Sequence, residues 1–374
     1  MTQYLWQRPE WTRFQWKNDN ILLTLGECRL LQGKLLGRVA DLGLPFENHA
    51  QMEILAEETL KTAAIEGESL NVKAVRSSVA RKLGLPSAGL PVDRHVDGLV
   101  SVLLDATKNH DDYLTEKRLF SWQAALFPTG YSGMHKIIVG NWRGDKLMQV
   151  ISGPIGHETV HFEPPPSESI PNEIGRFLGW WEESRGKTEG LLRTAIAHFW
   201  FVTIHPFEDG NGRLARALTD MAVAQDDQQS IRYYSLSSQI MTEREAYYDV
   251  LERGQKGSGD ITEWLTWFLG CFCRAINNSE KLLATVLEKA AFWKAHAQSA
   301  LSERQRKVIN RLLDAGRGGF EGGLTTRKYV SIAGVSRATA FREMEQLVKL
   351  SILKQNPGRG RSASYDLSWT GKSD

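Results

Sequence analysis

Cysteine is nearly missing from this chain of 374 residues, where only Cys28, Cys271 and Cys273 occur. So few, so irregularly spaced, exclude a disulfide framework, and the Cys271-Phe272-Cys273 pair lies in an apolar run without a second ligand pair. Buried thiols are expected there rather than a metal site. No stretch approaches the length of apolar sequence that a membrane helix needs. Met1–Trp16 carries aromatics and charges where a signal peptide would need an apolar run. These absences predict a cytoplasmic, reduced protein with no membrane partner. Charge of one sign is also scarce, the net being +2, and neither internal repeats nor low-complexity segments occur. What is present, 41% apolar and 24% charged residues, is ordinary globular composition at a length that suits two or three domains.

The organisation is mainly helical. Leu22–Leu42, Ala50–Glu66, Val72–Leu83 and Asp93–Lys108 have apolar residues at helical spacing. Gly and Pro mark breaks at Gly84–Pro91 and Gly316–Gly323. Helices alternate with one hairpin to about Ile276, and Asn277–Gln298 reads as a connecting helix. From Leu301 onward there are 14 Lys/Arg against 7 Asp/Glu, so the C-terminal part is basic while the rest is mildly acidic. There Thr325–Ile332 and Ser336–Leu350, joined by Ala333-Gly334-Val335, read as a helix-turn-helix with Arg337, Thr339 and Arg342 pointing outward. Ile352–Gln355, a Gly358–Arg361 turn and Ala363–Leu367 complete a winged helix. The boundaries read as 1–95 for an N-terminal helical module, 96–276 for a core, 277–300 for the connecting helix and 301–374 for the winged helix.

The most informative segment is His205-Pro-Phe-Glu-Asp-Gly-Asn-Gly-Arg-Leu-Ala-Arg216. It joins a proton acceptor, a carboxylate, a Gly-Asn-Gly loop and two arginines, the parts that phosphoryl or nucleotidyl transfer requires. The preceding Leu191–Ile204 is apolar enough for a buried helix, which Pro206 cannot continue, so His205 should sit at a helix end. Gly210 and Gly212 permit geometries that a side chain would block. The following helix would aim the amides of Gly210, Asn211 and Gly212 at an anion. Arg213 and Arg216 share a face of that helix, within reach of different phosphates or of one carboxylate.

This segment resembles the signature of the Fic family, HPFxDGNGRxxR, at every fixed position. The fold class so implied is a mainly α Fic helical core with a small β-hairpin flap, an N-terminal helical module and a C-terminal winged helix-turn-helix. The implied activity is that of a nucleotidyltransferase moving AMP from ATP to a hydroxyl of a protein, with ATP as substrate and Mg²⁺ as cofactor. By resemblance His205 is the general base, Phe207 an apolar anchor and Asp209 the metal ligand. Gly210, Asn211 and Gly212 form the anion nest, with Arg213 and Arg216 on the phosphates. Upstream, Thr62-Ala63-Ala64-Ile65-Glu66-Gly67 ends an apolar helical pattern and resembles the family's inhibitory motif [S/T]xxxE[G/N]. That likeness implies that Glu66, with Thr62, occupies the ATP site and pairs with Arg216.

Three further pieces are similar to the family. Lys146–Gly153 and Thr159–Glu163, about a Pro154–Gly156 turn, read as two short strands. The likeness makes them a flap whose Thr159, Val160, His161 and Phe162 align a target segment by strand addition. Glu245-Ala246-Tyr247-Tyr248 and Gln255 resemble the adenine-pocket segment, although family members often carry Asn at the position of Gln255. Met1–Leu44, with Trp6, Pro9, Trp11, Phe14 and Trp16, resembles an N-terminal module common in bacterial members. The resulting expectation is an autoinhibited protein adenylyltransferase; the alternative is a DNA-binding transcriptional regulator whose Fic core senses nucleotide. Expected partners are an unnamed target protein, the chain itself as a target, a second copy in a homodimer, and DNA through the C-terminal module.

Overall fold

A computed structural model of the chain describes residues 4–40, 44–86, 91–152, 159–357 and 363–369. The chain divides into two compact units, residues 1–40 with 48–282 and residues 41–47 with 283–374. In chain order the first helices are α1 (Asn18–Val39), α2 (Leu44–Ile65), α3 (Val72–Lys82), α4 (Arg94–Lys108) and α5 (Glu116–Leu126). Two hairpins follow, β1 (Tyr131–Ser132) with β2 (His135–Lys136), and β3 (Val150–Ser152) with β4 (Thr159–Phe162). Then come α6 (Ile170–Glu183), α7 (Gly190–Ile204), α8 (Asn211–Asp227), α9 (Leu236–Thr242), α10 (Arg244–Gln255) and α11 (Thr262–Ala295). The segment expected as a separate connecting helix is the distal part of α11, which runs unbroken for 34 residues. Neither Gly nor Pro interrupts it after Gly270, so nothing stops the hydrogen-bond ladder at Ile276.

Local chemistry sets several of these ends. Asn71 accepts hydrogen bonds from the amides of Lys73 and Ala74 to start α3, and Asp93 does the same from His95 and Val96 for α4. In α7 every residue from Leu191 to Ile204 is buried, and α8 is buried from Arg213 to Gln225. These two helices form the centre of the first unit. The N-terminal aromatics close over α7: Trp11 lies edge-on to Trp200 at 6.0 Å, and Phe14 to Phe199 and Trp200 at 5.7 Å. Trp264 of α11 donates its indole N–H to the Ala195 carbonyl at 2.9 Å.

The cysteines differ from expectation. Cys28 of α1 and Cys273 of α11 are paired as a disulfide with Cα atoms 4.9 Å apart, and only Cys271 is a buried free thiol. Spacing could not show this, because the two halves lie 245 residues apart in sequence. Among the described residues no helix is long and apolar enough to cross a membrane.

In the second unit α12 (Glu303–Ala315), α13 (Thr326–Ala333) and α14 (Arg337–Lys349) precede the antiparallel strands β5 (Leu353–Gln355) and β6 (Tyr365–Leu367). Val308, Ile309, Leu312, Tyr329, Met344, Leu347 and Ile352 fill its core. Gly334 turns between α13 and α14 with φ 66°, and Ser336 caps α14 by accepting from the Thr339 amide. Arg337 and Arg342 are exposed, as expected. Thr339 is half-buried instead, its hydroxyl 3.0 Å from that of Ser336, because it shares in the cap. The whole expected Gly358–Arg361 turn lies outside the described residues, as does the whole Pro154–Gly156 turn.

Candidate active site

The site is built where α7 stops and α8 starts. His205 ends α7 in the left-handed region, φ 50° and ψ 59°, its amide still bonded to Phe201. Its Nδ1 lies 3.3 Å from the Val202 carbonyl, which can only accept. The ring proton therefore belongs on Nδ1, and Nε2 carries the free lone pair. Burial pushes the imidazole pKa down to about 4, the Arg143 charge adding to it while the Val202 carbonyl, Glu66 and Asp209 oppose it. His205 is thus a neutral acceptor at neutral pH.

The loop beyond it is closed from inside. Asn211 accepts from the Phe207 amide at 3.0 Å and donates to the Phe207 carbonyl at 2.8 Å. Its side chain therefore fixes the loop, beyond the backbone amide that the sequence suggested. Gly210 caps α8 with φ 92°, a conformation that suits glycine. Asp209 accepts from the Gly210 amide at 2.5 Å and from the Ser132 hydroxyl of β1. Glu208 points elsewhere, to the Ile138 amide at 2.9 Å.

Both arginines of α8 are met by acids from the end of α2. Arg216, 2% exposed, donates from Nη2 to Glu66 at 2.7 Å and to the Thr62 carbonyl at 2.9 Å, and from Nε to the Thr62 hydroxyl at 2.6 Å. Arg213 donates to Glu68 at 3.2 Å and lies 3.6 Å from Asp209, its guanidinium 4.8 Å from the centre of the Phe127 ring. Glu66 Oε1 also occupies the space beside Gly212, where an added Cβ would collide with it. Arg216 Nη1 and Arg213 Nε are buried without a partner.

Other sequence-predicted residues fall as follows. Tyr247 is 2% exposed with its hydroxyl 2.8 Å from His198 Nε2 and beside Arg216, and burial drives its phenol pKa up. Gln255, 6% exposed, reaches Thr203 at 3.4 Å. Both residues of the adenine-pocket resemblance are thus buried side chains. In the second hairpin Ile151 faces Val160 and Ser152 faces Thr159, with a bulge between Val150 and Ile151. Thr159 and Val160 are exposed, Phe162 is buried against Tyr4, and His161 pairs with Glu252 at 2.6 Å.

Sequence reasoning missed four contributors, Ser132, Arg143, Glu68 and Arg244, and named Tyr248 only within the adenine-pocket segment. Arg143 donates to the His205 carbonyl at 2.9 Å. Arg244 and Tyr248 donate to the Ile65 carbonyl at 2.8 and 3.4 Å, holding the end of α2 in place. Only Glu68 left a signal, a second acid two residues after Glu66 opposite two arginines three apart.

Fold and site together define a helical domain built around an anion-receiving loop with an imidazole at its head. Residues 113–223 match the Fic/DOC family, and residues 4–85 match a domain of unknown function (DUF4172). The chain therefore carries a Fic/DOC family domain over residues 113–223. It is 27% identical over 206 residues to a protein adenylyltransferase of Caenorhabditis elegans, covering 50% of this chain and 37% of the relative. Over 154 residues it is 29% identical to a probable protein adenylyltransferase of Aquifex aeolicus, covering 39% and 42%. It is also 30% identical over 119 residues to a uridine 5′-monophosphate transferase of Xanthomonas campestris, covering 29% and 21%. The chain thus spans less than half the length of these curated relatives. A Fic family protein of Desulfovibrio desulfuricans shares the fold with a TM-score of 0.57 at 19% identity, covering 95% of this chain and 97% of that one. A Fic domain containing signaling protein of Bacteroides thetaiotaomicron gives 0.51 at 18%, covering 73% and 97%.

Proposed function

We propose that the chain is a protein adenylyltransferase held in an inhibited state by Glu66. The observation that carries this reading is the Glu66–Arg216 pair, 2.7 Å long, set against Gly212 beside an intact His205. In the reaction His205 Nε2 takes the proton of a protein hydroxyl as its oxygen bonds to the α-phosphorus of ATP. The α–β phosphoanhydride breaks and pyrophosphate leaves. The amides of Gly210–Gly212 and the guanidinium of Arg213 receive phosphate oxygens. Arg216 would join them once Glu66 withdraws. Asp209 suits Mg²⁺, because one carboxylate plus phosphates and water is the usual way that ion is held. The ion, when bound, would neutralise phosphate charge. Among the described residues β4 pairs only with β3, so its other edge at Thr159–Val160 is where an extended target segment would add.

Arg216 is buried but Glu66 is partly exposed, so parting the two costs less than the about 3–5 kcal/mol of a fully buried pair. Glu66→Gly should therefore raise AMP transfer at least about tenfold, which needs only about 1.4 kcal/mol of relief. Incubation with labelled ATP and Mg²⁺ tests it; equal labelling of wild type and Glu66→Gly at several ATP concentrations refutes the inhibitory role. Arg216→Ala should not mimic the gain, since the same arginine is then missing from the nucleotide site. The chain itself is the first target to examine.

A second reading draws on the basic C-terminal residues and the exposed Arg337 and Arg342. In it the chain is a DNA-binding regulator whose Fic domain senses nucleotide. Salt-sensitive retention of duplex DNA without protein labelling would favour it.

A further inference from the structure

Arg143 belongs to no motif in the sequence and lies between the two hairpins, 6% exposed. Its backbone amide donates to the Pro206 carbonyl at 2.9 Å, its Nε to the His205 carbonyl at 2.9 Å, and its Nη2 to the Pro165 carbonyl. One planar side chain thus joins the residue that carries the imidazole to the root of the hairpin at the end of β4.

Both acceptors need an outside donor. His205 is a left-handed, non-glycine residue, a conformation that persists where surroundings over-determine it. Pro165 sits in a run of three prolines that has no amide to pair with a neighbouring strand, so its carbonyl must be met by a side chain or water. The rest of β4 is held to other parts of the first unit. Trp6 donates its indole N–H to the Glu163 carbonyl at 2.7 Å, and His161 pairs with Glu252 at 2.6 Å. Arg143 joins the segment that follows β4 to His205. A guanidinium can serve both carbonyls because its fork is rigid, whereas an ammonium is a single point of charge.

We propose that Arg143 is a positioning residue for transfer, setting His205 and the hairpin edge in one register. An extended, hydroxyl-bearing protein segment aligned on Thr159–Val160 then presents its oxygen to Nε2. The proposal rests on the adenylyl-transfer reading above. Its force comes from distance: misplacement by about 1 Å can lower a rate a hundredfold without loss of binding.

The test uses the full chain carrying Glu66→Gly, alone and with Arg143→Gln or Arg143→Lys. It measures AMP transfer from labelled ATP to the chain and to lysate protein, with Mg²⁺ present. Alongside run ATP titrations and hydrogen exchange of peptides covering 159–166 and 203–210. Arg143→Gln should lower kcat at least about tenfold with KM for ATP within about twofold, and Arg143→Lys should fall between it and the parent. Both peptides should exchange faster while the rest of the first unit does not. Transfer at the parent rate, or a loss of kcat matched by weaker ATP binding and faster exchange throughout, would overturn the assignment. If Arg143→Gln does not fold, Arg143→Lys carries the same comparison. If the Glu66→Gly parent transfers nothing, the adenylyl-transfer reading fails. Unchanged exchange of 159–166 in a variant separately refutes the link.

Discussion

The proton on His205 is decided first by burial, then by the Val202 carbonyl, the Arg143 charge and the carboxylates of Glu66 and Asp209. With its pKa held near 4, the imidazole stays a free base well below the usual histidine range. The transfer rate of Glu66→Gly should then be flat from about pH 8 to about pH 5.5 and fall only as pH approaches 4. The same depressed pKa means that its neutral form contributes stability in full above about 6.5. That contribution is lost as pH drops from there toward 4. A pH–rate profile breaking near 6.5 would show that the base is charged more readily than this site allows. His205→Ala should abolish transfer while ATP affinity, read by titration, stays within a few-fold. Gly212 makes a second prediction. An alanine there meets Glu66, so Gly212→Ala should destabilise the wild-type chain by about 1–3 kcal/mol and much less in the Glu66→Gly background. Denaturant unfolding of the four chains gives the coupling; additive effects would mean that Glu66 does not occupy that space.

At the scale of elements, α2 is a lever with a fixed far end. Its Glu58 carboxylate is buried and accepts from Ser235 at 2.7 Å and from the Ser237 amide at 3.1 Å, while its last carbonyl, Ile65, is held by Arg244 and Tyr248. Arg244→Ala should loosen the segment that carries Glu66 and raise wild-type AMP transfer severalfold, less than Glu66→Gly itself. An unchanged rate in the labelling assay would show that α2 needs no such mooring. Much of this element map was legible. The helix starts at Asn71, Asp93, Thr325 and Ser336 announce themselves by side chains that take backbone amides, and the His205–Arg216 loop is local chemistry in one stretch. The β1–β2 hairpin was not legible, because strands of two residues leave no period to detect. Arg143 and Arg244 were equally silent, since both act on carbonyls distant in sequence. Glu66 and Arg216, 150 residues apart, could be joined only through family resemblance, and spacing alone says nothing about their meeting.

For the whole molecule, the Cys28–Cys273 bridge closes most of the first unit into one loop. Denatured without reductant, the chain should titrate one thiol, that of Cys271, and three after reduction. Reduction should lower the unfolding free energy by about 2–4 kcal/mol. Three reactive thiols before reduction would restore the reading of the sequence, in which all three cysteines are free. That reading failed on geometry: α1 and α11 lie side by side at Cys28 and Cys273, a juxtaposition that no spacing rule encodes.

The unpartnered Arg216 Nη1 bears on how strongly the proposed inhibition by Glu66 could hold. A buried donor left unmet costs about 1–3 kcal/mol, so the closed arrangement sits above the depth that the same residues could reach with every hydrogen satisfied. Glu66 presents two oxygens, whereas a terminal phosphate presents three and could reach the idle donor as well. In the proposed function the two anions would compete for one guanidinium, which Glu66 holds in this structure. Which of them is in residence would then follow from nucleotide concentration, making the inhibited state a threshold set by supply rather than a permanent block.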